Sequence, residues 1–121
     1  MHAHLVFVTK YRRKVFTNAS LKALEAILKE VCSSFGCELQ SFEGEGDHVH
    51  LLVVFPPKVA LSKLVNSLKG VSSRMLRQTV PSVARHYWKG VLWSPSYFAA
   101  SCGGAPLEVI RQYIEDQKRP A

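Results

Sequence analysis

The sequence predicts an α+β fold in which helices pack on a four-stranded, mainly antiparallel sheet with a split β-α-β connection. Apolar residues switch between the two-residue period of strands and the roughly 3.6-residue period of helices, in the order strand, helix, strand, strand, helix, strand, helix. Of the 121 residues, 47% are hydrophobic and 21% are charged, which is typical of globular proteins and excludes disorder. This length buries one hydrophobic core, so we expect a single domain, residues 1–121.

The first half of the chain predicts one helix and three strands. Apolar residues recur every three or four positions from Leu21 to Phe35, and Gly36 follows as a stop signal, which predicts an amphipathic helix. The acidic segment 43–47 contains two glycines and predicts a hairpin turn. Short β-branched, aromatic or alternating runs predict strands at residues 4–9, 37–43 and 48–55.

The second half predicts two helices around one irregular strand. Residues 61–77 place leucines on one side of a helix and basic residues on the other, and Pro81 ends this helix. Residues 90–100 are apolar and aromatic but contain Pro95, which predicts a kinked or edge strand. A proline and an early glutamate then predict the start of a final helix at residues 105–118.

The charge of the chain predicts an anionic partner. Sixteen basic against nine acidic residues give a net charge of +7, and nucleic acid is the commonest partner of so basic a small domain. Four of the basic residues surround Tyr11 directly after the first strand: Lys10, Arg12, Arg13 and Lys14. The alternative is a solvated loop whose charge serves solubility alone.

The cysteines and the apolar segments of the sequence indicate the cellular compartment in which the protein is expected. Three cysteines, Cys32, Cys37 and Cys102, lack zinc-pair spacing and form an odd set, so we expect them to be packing residues. No signal peptide pattern precedes the first strand, and no apolar run reaches the roughly 20 residues that a membrane helix needs. The expected location is therefore the cytoplasm.

Two histidines at strand spacing are candidate metal ligands. A period of two places His48 and His50 next to each other on one face, where two imidazoles can chelate one metal ion. The alternative is that each is a hydrogen-bonded group at the start of its strand. His2 and His4 have the same spacing, but they lie near the chain end, where order is least certain.

The final helix carries a candidate nucleophile. Tyr113 and Gln117 are four residues apart and project from one helix face, at the edge of an apolar stripe. The alternatives are an amphipathic tyrosine with a buried ring and a solvated glutamine. Together, however, His48, His50 and the Gln117 amide oxygen could supply three metal ligands beside a phenol that could attack, which is the combination of a Lewis acid and a nucleophile.

Five sequence blocks occur together in one order: LVFVTKYRR at residues 5–13, GDHVHLL at 46–52, LKGVSSR at 68–74, LWSPSYF at 92–98 and YIEDQ at 113–117. Over nearly its whole length the chain thereby resembles the single-tyrosine HUH transposases of the insertion-sequence 200/605 family. The letters HUH describe His48, an apolar residue and His50. The implied fold is a ferredoxin-like or RRM-like sandwich followed by a helix that carries the tyrosine.

The resemblance implies a transposase that cleaves and rejoins single-stranded DNA at transposon ends, next to subterminal hairpins, through a 5′-phosphotyrosine on Tyr113. It implies that His48, His50 and Gln117 hold Mg²⁺ or Mn²⁺, and the choice between the two metals stays open. The proton acceptor for Tyr113 also stays open. Family members are homodimers in which the tyrosine helix of one subunit can complete the site of the other, and Gly103 and Gly104 are the candidate hinge.

Basic and aromatic residues are the expected contacts to DNA phosphates and bases. They are Lys10, Tyr11, Arg12, Arg13, Lys14, Arg74 and Arg77.

Three other functions remain open on sequence grounds. A domesticated relative would cut hairpins of chromosomal repeats, and genomic context separates it from a mobile element. A non-catalytic RRM-like module would bind a hairpin without becoming covalently attached to it. A metal-dependent hydrolase would release a free 5′-phosphate, because water would attack in place of Tyr113.

Overall fold

The computed structural model describes residues 1–87, 91–101 and 107–117. Its strands are β1 (His2–Val8), β2 (Glu38–Gly44), β3 (His48–Val54) and β4 (Phe98–Ser101). Its helices are α1 (Asn18–Ser34), α2 (Leu61–Thr79), α3 (Pro81–His86) and α4 (Leu107–Asp116). A short 3₁₀ turn, Lys10–Arg12, follows β1. Within the described ranges, no helix is both long and apolar enough to cross a membrane.

The four strands form one antiparallel sheet in the order β2-β3-β1-β4. Since β3 lies between β1 and β2, the β1-α1-β2 unit is split by a third strand. The predicted α+β sandwich with a split β-α-β connection is therefore confirmed.

Helices cover both faces of the sheet. On one face, Leu5 and Leu51 join α1 and α2 in a core that includes Leu24 and Leu64. On the other face, side chains of β1 and α4 form a smaller cluster of buried residues: Val6, Val8, Ile110 and Ile114. Because strand side chains alternate between faces, the residues of β3 that do not enter the main core lie on the α4 side.

Helix α1 has clear local start and stop signals. Thr17 forms a capping box with Ser20, in which each side chain accepts a hydrogen bond from the other residue's backbone N–H. After the last turn, Gly36 has a φ of 72°, a left-handed conformation that glycine adopts without steric cost. The predicted helix is confirmed, and it begins at Asn18.

Three boundaries differ from the sequence prediction. Strand β1 begins at His2, which pairs with Val54, so the amino-terminal residues belong to the sheet. Of the described residues 91–100 of the predicted strand, only 98–100 join the sheet, as part of β4, which ends at Ser101. Pro95 cannot donate to a strand ladder, and Trp93 makes just an isolated bridge to Thr9. Pro81 ends α2 as predicted, but it also occupies the first turn of the short helix α3.

Some residues named in the sequence prediction lie outside the residues that the structure describes. Gly103, Gly104 and the predicted helix end near Lys118 lie outside the described residues, as does Cys102. Cys32 and Cys37 are buried and free, and burial raises the pKa of the Cys32 thiol to about 11. Both act as packing residues of the core, as predicted.

Trp93 joins the segment before β4 to the main core. Its side chain is 1% exposed, and its ring lies 5.6 Å from the rings of Phe7 and Phe16, centroid to centroid. Its indole Nε1 donates a hydrogen bond of 3.0 Å to the Ser72 hydroxyl of α2. One residue earlier, the Leu92 backbone N–H donates to the Ser73 hydroxyl. Two serines of α2 thus fix the segment that leads into β4.

We predict that Ser72→Ala lowers the free energy of unfolding by about 1–3 kcal/mol, because it leaves the buried indole N–H without an acceptor. Ser62→Ala, at an exposed position of the same helix, is the matched control and changes stability by less than about 0.5 kcal/mol. Urea unfolding followed by tryptophan fluorescence measures both. Equal stability of the two variants would contradict this role of Ser72.

Candidate functional site

The two predicted histidine ligands lie side by side on the sheet face that α4 covers. In the register of β3 against β1, His48 pairs with Val8 and His50 pairs with Val6. Both histidines are half-buried, and their ring centroids are 5.1 Å apart at an interplanar angle of 78°. The strand period alone accounts for this shared face, since one residue separates them.

A buried carboxylate orients the first of these rings. Asp47 is 4% exposed, and its Oδ1 lies 2.7 Å from His48 Nδ1. An ionised carboxylate only accepts hydrogen bonds, so His48 Nδ1 carries the proton and donates it. In the neutral imidazole, this tautomer leaves the lone pair on His48 Nε2. The backbone holds the aspartate in place, because both the N–H and the hydroxyl of Thr9 donate to the Asp47 carbonyl.

Arg12 connects this carboxylate to α4. Its Nε donates to Asp47 Oδ2 at 2.7 Å, and its Nη1 donates to Glu115 Oε2 at 2.8 Å. Burial favours a higher pKa for Asp47, but hydrogen bonds from His48 and Arg12 outweigh burial, and the pKa falls below its usual value. Asp47 is therefore ionised at neutral pH, as the pairing requires.

The turn that aims Arg12 has an unusual backbone. Tyr11 and Arg12 have φ values of 61° and 58°, in the left-handed region that non-glycine residues rarely adopt. The turn is held from outside, since Tyr87 donates its hydroxyl to the Lys10 carbonyl at 2.7 Å. Such backbone strain persists only where the surroundings stabilise it, and here it directs the Arg12 guanidinium towards Asp47.

A third histidine lies behind the second ring. His4 Nε2 is 3.3 Å from His50 Nδ1, and the two rings stack with centroids 5.4 Å apart. Burial is the largest cause that lowers the pKa of His50, followed by repulsion from His48 and His4. His50 is consequently neutral near pH 7, which is the state in which an imidazole can bind a metal ion.

Tyr113 and Gln117 make their hydrogen bonds elsewhere. The Tyr113 hydroxyl lies 2.9 Å from the Ser96 hydroxyl, and its ring packs against Phe98 of β4. Gln117 Oε1 accepts hydrogen bonds from the hydroxyls of Ser94 and Ser96. The structure therefore brings Tyr113 and Gln117 together, but it binds them to the segment before β4 and not to the histidines.

The surroundings of Tyr113 change the pKa of its phenol and fix the serine segment that it contacts. Burial raises the pKa of its phenol, and the hydrogen bond with Ser96 only partly opposes this. Lys69 of α2 donates to the carbonyls of Ser94 and Ser96 at 2.7 and 3.1 Å, so the main chain carrying both serine hydroxyls is fixed from the opposite side of the sheet.

A cavity of about 610 Å³ lies between the histidines and α4. His48 and His50 form part of its wall, and α4 contributes Ile110 and Glu115. Arg12, Lys14 and Arg111 line it as well, so three basic side chains border the two imidazoles. Three acidic residues, Glu45, Asp47 and Glu115, also line it, and Arg12 is paired with two of them. Lys14 and Arg111 are the basic side chains of the wall that can contact a phosphate group.

The predicted DNA contacts lie on two elements. Lys10 and Arg13 approach the Tyr11 ring, each with its charged group 5.5 Å from the ring centroid, and Tyr11 is 39% exposed. Lys14 is exposed on the same segment, whereas Arg12 points inward to its two carboxylates. Arg74 is exposed and Arg77 half-buried on α2.

The side chains beside the cavity supply part of the set of ligands that a divalent cation needs. Imidazole nitrogens suit first-row divalent metals, and the free Nε2 of His48 and the neutral His50 supply two such donors. Among the described residues, no group of three His, Cys, Asp or Glu side chains is arranged to hold a metal ion. The amide oxygen of Gln117, the third ligand expected from the sequence, bonds to Ser94 and Ser96.

Sequence reasoning did not identify Asp47, Ser94 and Ser96 as parts of this site. Asp47 had a usable signal, since a carboxylate directly before a ligand-spaced histidine is a candidate orienting group. Ser94 and Ser96 flank Pro95, and their contacts to the final helix depend on tertiary structure that no local pattern shows.

The family model for IS200-like transposases matches residues 1–117. The ISDra2 transposase TnpA of Deinococcus radiodurans is 34% identical over 114 residues, which are 94% of this chain and 81% of that protein. The transposase for insertion sequence element IS200 of Salmonella typhimurium is 32% identical over 94% of this chain and 74% of its own length.

Two solved structures share the fold. The crystal structure of a transposase-like protein from Deinococcus radiodurans superimposes with a TM-score of 0.85 at 32% identity and covers 100% of this chain and 92% of that one. A REP-associated tyrosine transposase bound to a REP hairpin has a TM-score of 0.58 at 11% identity, over 94% of this chain and 62% of that one, and shows the fold alone. The match across residues 1–117 and the identities of its relatives establish that this chain belongs to the family of IS200-like transposases.

Proposed function

We propose that this transposase cleaves and rejoins single-stranded DNA next to hairpins, with Tyr113 as the nucleophile. The observation that carries the proposal is the paired imidazoles, which open into a cavity that contains Arg12, Lys14 and Arg111 and whose other wall is the helix that bears Tyr113. A protein of the same fold, the REP-associated tyrosine transposase, binds a REP hairpin, which supports hairpin DNA as the partner.

The covalent step conserves the energy of the phosphodiester. The Tyr113 oxygen attacks the scissile phosphorus, the bond to the 3′ oxygen breaks, and a 5′-phosphotyrosine and a free 3′-hydroxyl result. A second 3′-hydroxyl can reverse this exchange, so the strands rejoin without ATP. Because burial raises the pKa of Tyr113, the phenol is protonated near neutral pH and must lose its proton to react. In its present position the hydroxyl bonds to Ser96, and Tyr113 does not line the cavity beside the histidines.

His48, His50 and Gln117 are the residues that would hold Mg²⁺ or Mn²⁺. When bound, such a cation polarises the scissile phosphate and offsets the charge that develops on its oxygens. Asp47 keeps His48 in the tautomer that leaves Nε2 free. Arg12 and Lys14 border the same cavity and can contact the neighbouring phosphates.

A homodimer accounts for the separation of the tyrosine from the histidines. In this chain Tyr113 and Gln117 bind the serines before β4 and do not line the cavity beside His48 and His50. We propose that α4 of a partner subunit supplies both residues to the histidines, with Gly103 and Gly104 as the hinge.

The covalent intermediate gives the first test. The protein is mixed with Mn²⁺ and labelled single strands taken from both genomic flanks of its gene, and denaturing gels are used to detect a protein-DNA adduct. We expect an adduct that Tyr113→Phe abolishes and that the control Tyr97→Phe retains, because only the first variant lacks the attacking oxygen.

Other results would contradict specific parts of the proposal. Hairpin binding without an adduct would indicate a binding module, and cleavage that survives Tyr113→Phe would indicate attack by water. An adduct with hairpins of dispersed chromosomal repeats, but not with flanking DNA, would indicate a domesticated enzyme.

The dimer gives a second prediction. Tyr113→Phe and the double variant His48→Ala/His50→Ala are each expected to be inactive when alone. Co-expressed as a mixed dimer, they are expected to regain adduct formation, because one subunit contributes the tyrosine and the other contributes both histidines. Loss of activity in the mixed dimer as well would place the tyrosine and the histidines of each site in the same subunit.

A further inference from the structure

His4 lies on the sheet face that α4 covers, and the proposed function does not use it. It lies on β1 opposite Leu52, and Val6 lies opposite His50, so His4 and His50 are diagonal neighbours across two strands. Their contact is specific: Nε2 of His4 lies 3.3 Å from Nδ1 of His50, and the rings stack.

The position of the proton in this contact decides whether His50 can bind a cation. If His50 Nδ1 donates to His4 Nε2, then His50 Nε2 keeps its lone pair. If His4 Nε2 donates instead, His50 carries its proton on Nε2, and that nitrogen cannot be a ligand. A cation at His50 Nε2 therefore requires His4 to accept the hydrogen bond.

The neighbouring histidine already has the equivalent arrangement. Asp47 accepts from His48 Nδ1 and leaves Nε2 free. An acceptor behind Nδ1 is the usual way in which proteins fix the tautomer and ring orientation of a metal-binding histidine. His4 occupies that place for His50.

We propose that His4 is a positioning residue that accepts the hydrogen bond from His50 Nδ1 and so holds His50 Nε2 ready for a divalent cation. This inference rests on the ligand role of His50 in the proposed function.

Two observations distinguish this role from that of a third ligand. His4 and His50 line a separate depression of about 400 Å³ under α4, whereas His4 is not part of the wall of the cavity that His48 and His50 share. Among the described side chains, His4 also does not join the other two histidines in a three-group metal set. His4 thus lies behind His50 and not beside the metal position.

The affinity for Mn²⁺ alone, measured by electron paramagnetic resonance of the free ion, tests the proposal without any DNA. We expect His4→Phe, which keeps a ring but lacks an acceptor, to weaken Mn²⁺ binding by about 10-fold or more. His4→Gln places an amide oxygen near the Nε2 position and is expected to recover most of the affinity. The control His2→Phe, exposed on the same strand, is expected to bind like the wild type.

A metal-free measurement makes the test independent of the cation. The nitrogen-15 shifts of the imidazoles, recorded at about pH 8, above the usual imidazole pKa of about 6.5, report which nitrogen carries the proton. We expect His50 protonated on Nδ1 in the wild type and shifted towards Nε2 protonation in His4→Phe. The same spectra show whether each variant is folded.

Each result has one meaning. Wild-type His50 protonated on Nε2, or unchanged Mn²⁺ affinity in His4→Phe, would overturn the proposal. An equal loss in His4→Phe and His4→Gln would also overturn it, because an acceptor at this place would then not restore the affinity. If the wild type binds no Mn²⁺, the metal part of the proposed function fails, and the imidazole spectra alone decide the role of His4.

Discussion

The site depends on a single buried charge, the carboxylate of Asp47. It is 4% exposed and joins His48 on one oxygen to Arg12 on the other. An unpaired carboxylate at this depth would cost several kcal/mol, so the left-handed turn after β1, which aims Arg12, and the start of β3 stabilise each other. Through Glu115, the same guanidinium also reaches α4. One ion-pair network thus connects the histidines with the helix that carries the tyrosine.

Helix α4 makes contacts on two of its sides. On one side, Ile110 and Ile114 pack against β1 and, with Glu115, line the cavity beside the histidines. On its other side, Tyr113 and Gln117 are bound to Ser96 and Ser94. The parts of the proposed reaction centre are therefore held separately in one chain. A rearrangement of α4, or its exchange between subunits, would be the event that brings them together.

The sequence was informative wherever the chemistry is local. The period of a strand puts His48 and His50 on one face, and helical spacing puts Tyr113 and Gln117 on another, so these groups could be predicted without coordinates. The contact between His4 and His50 depends on the register of strands 46 positions apart, which the sequence pattern does not determine. The same holds for the serines beside Pro95. Their hydrogen bonds to α4 could be predicted only by knowing that this segment leaves the sheet after Trp93 pairs with Thr9.

The most direct test of the account is a crystal structure of the Tyr113→Phe protein with Mn²⁺ and a single-stranded hairpin that spans the cleavage site. Anomalous scattering locates the metal. The account predicts one peak within bonding distance of Nε2 of both His48 and His50, next to the scissile phosphate, with Gln117 released from Ser94 and Ser96. Bound DNA without a metal peak, or a metal held by other groups, would contradict it.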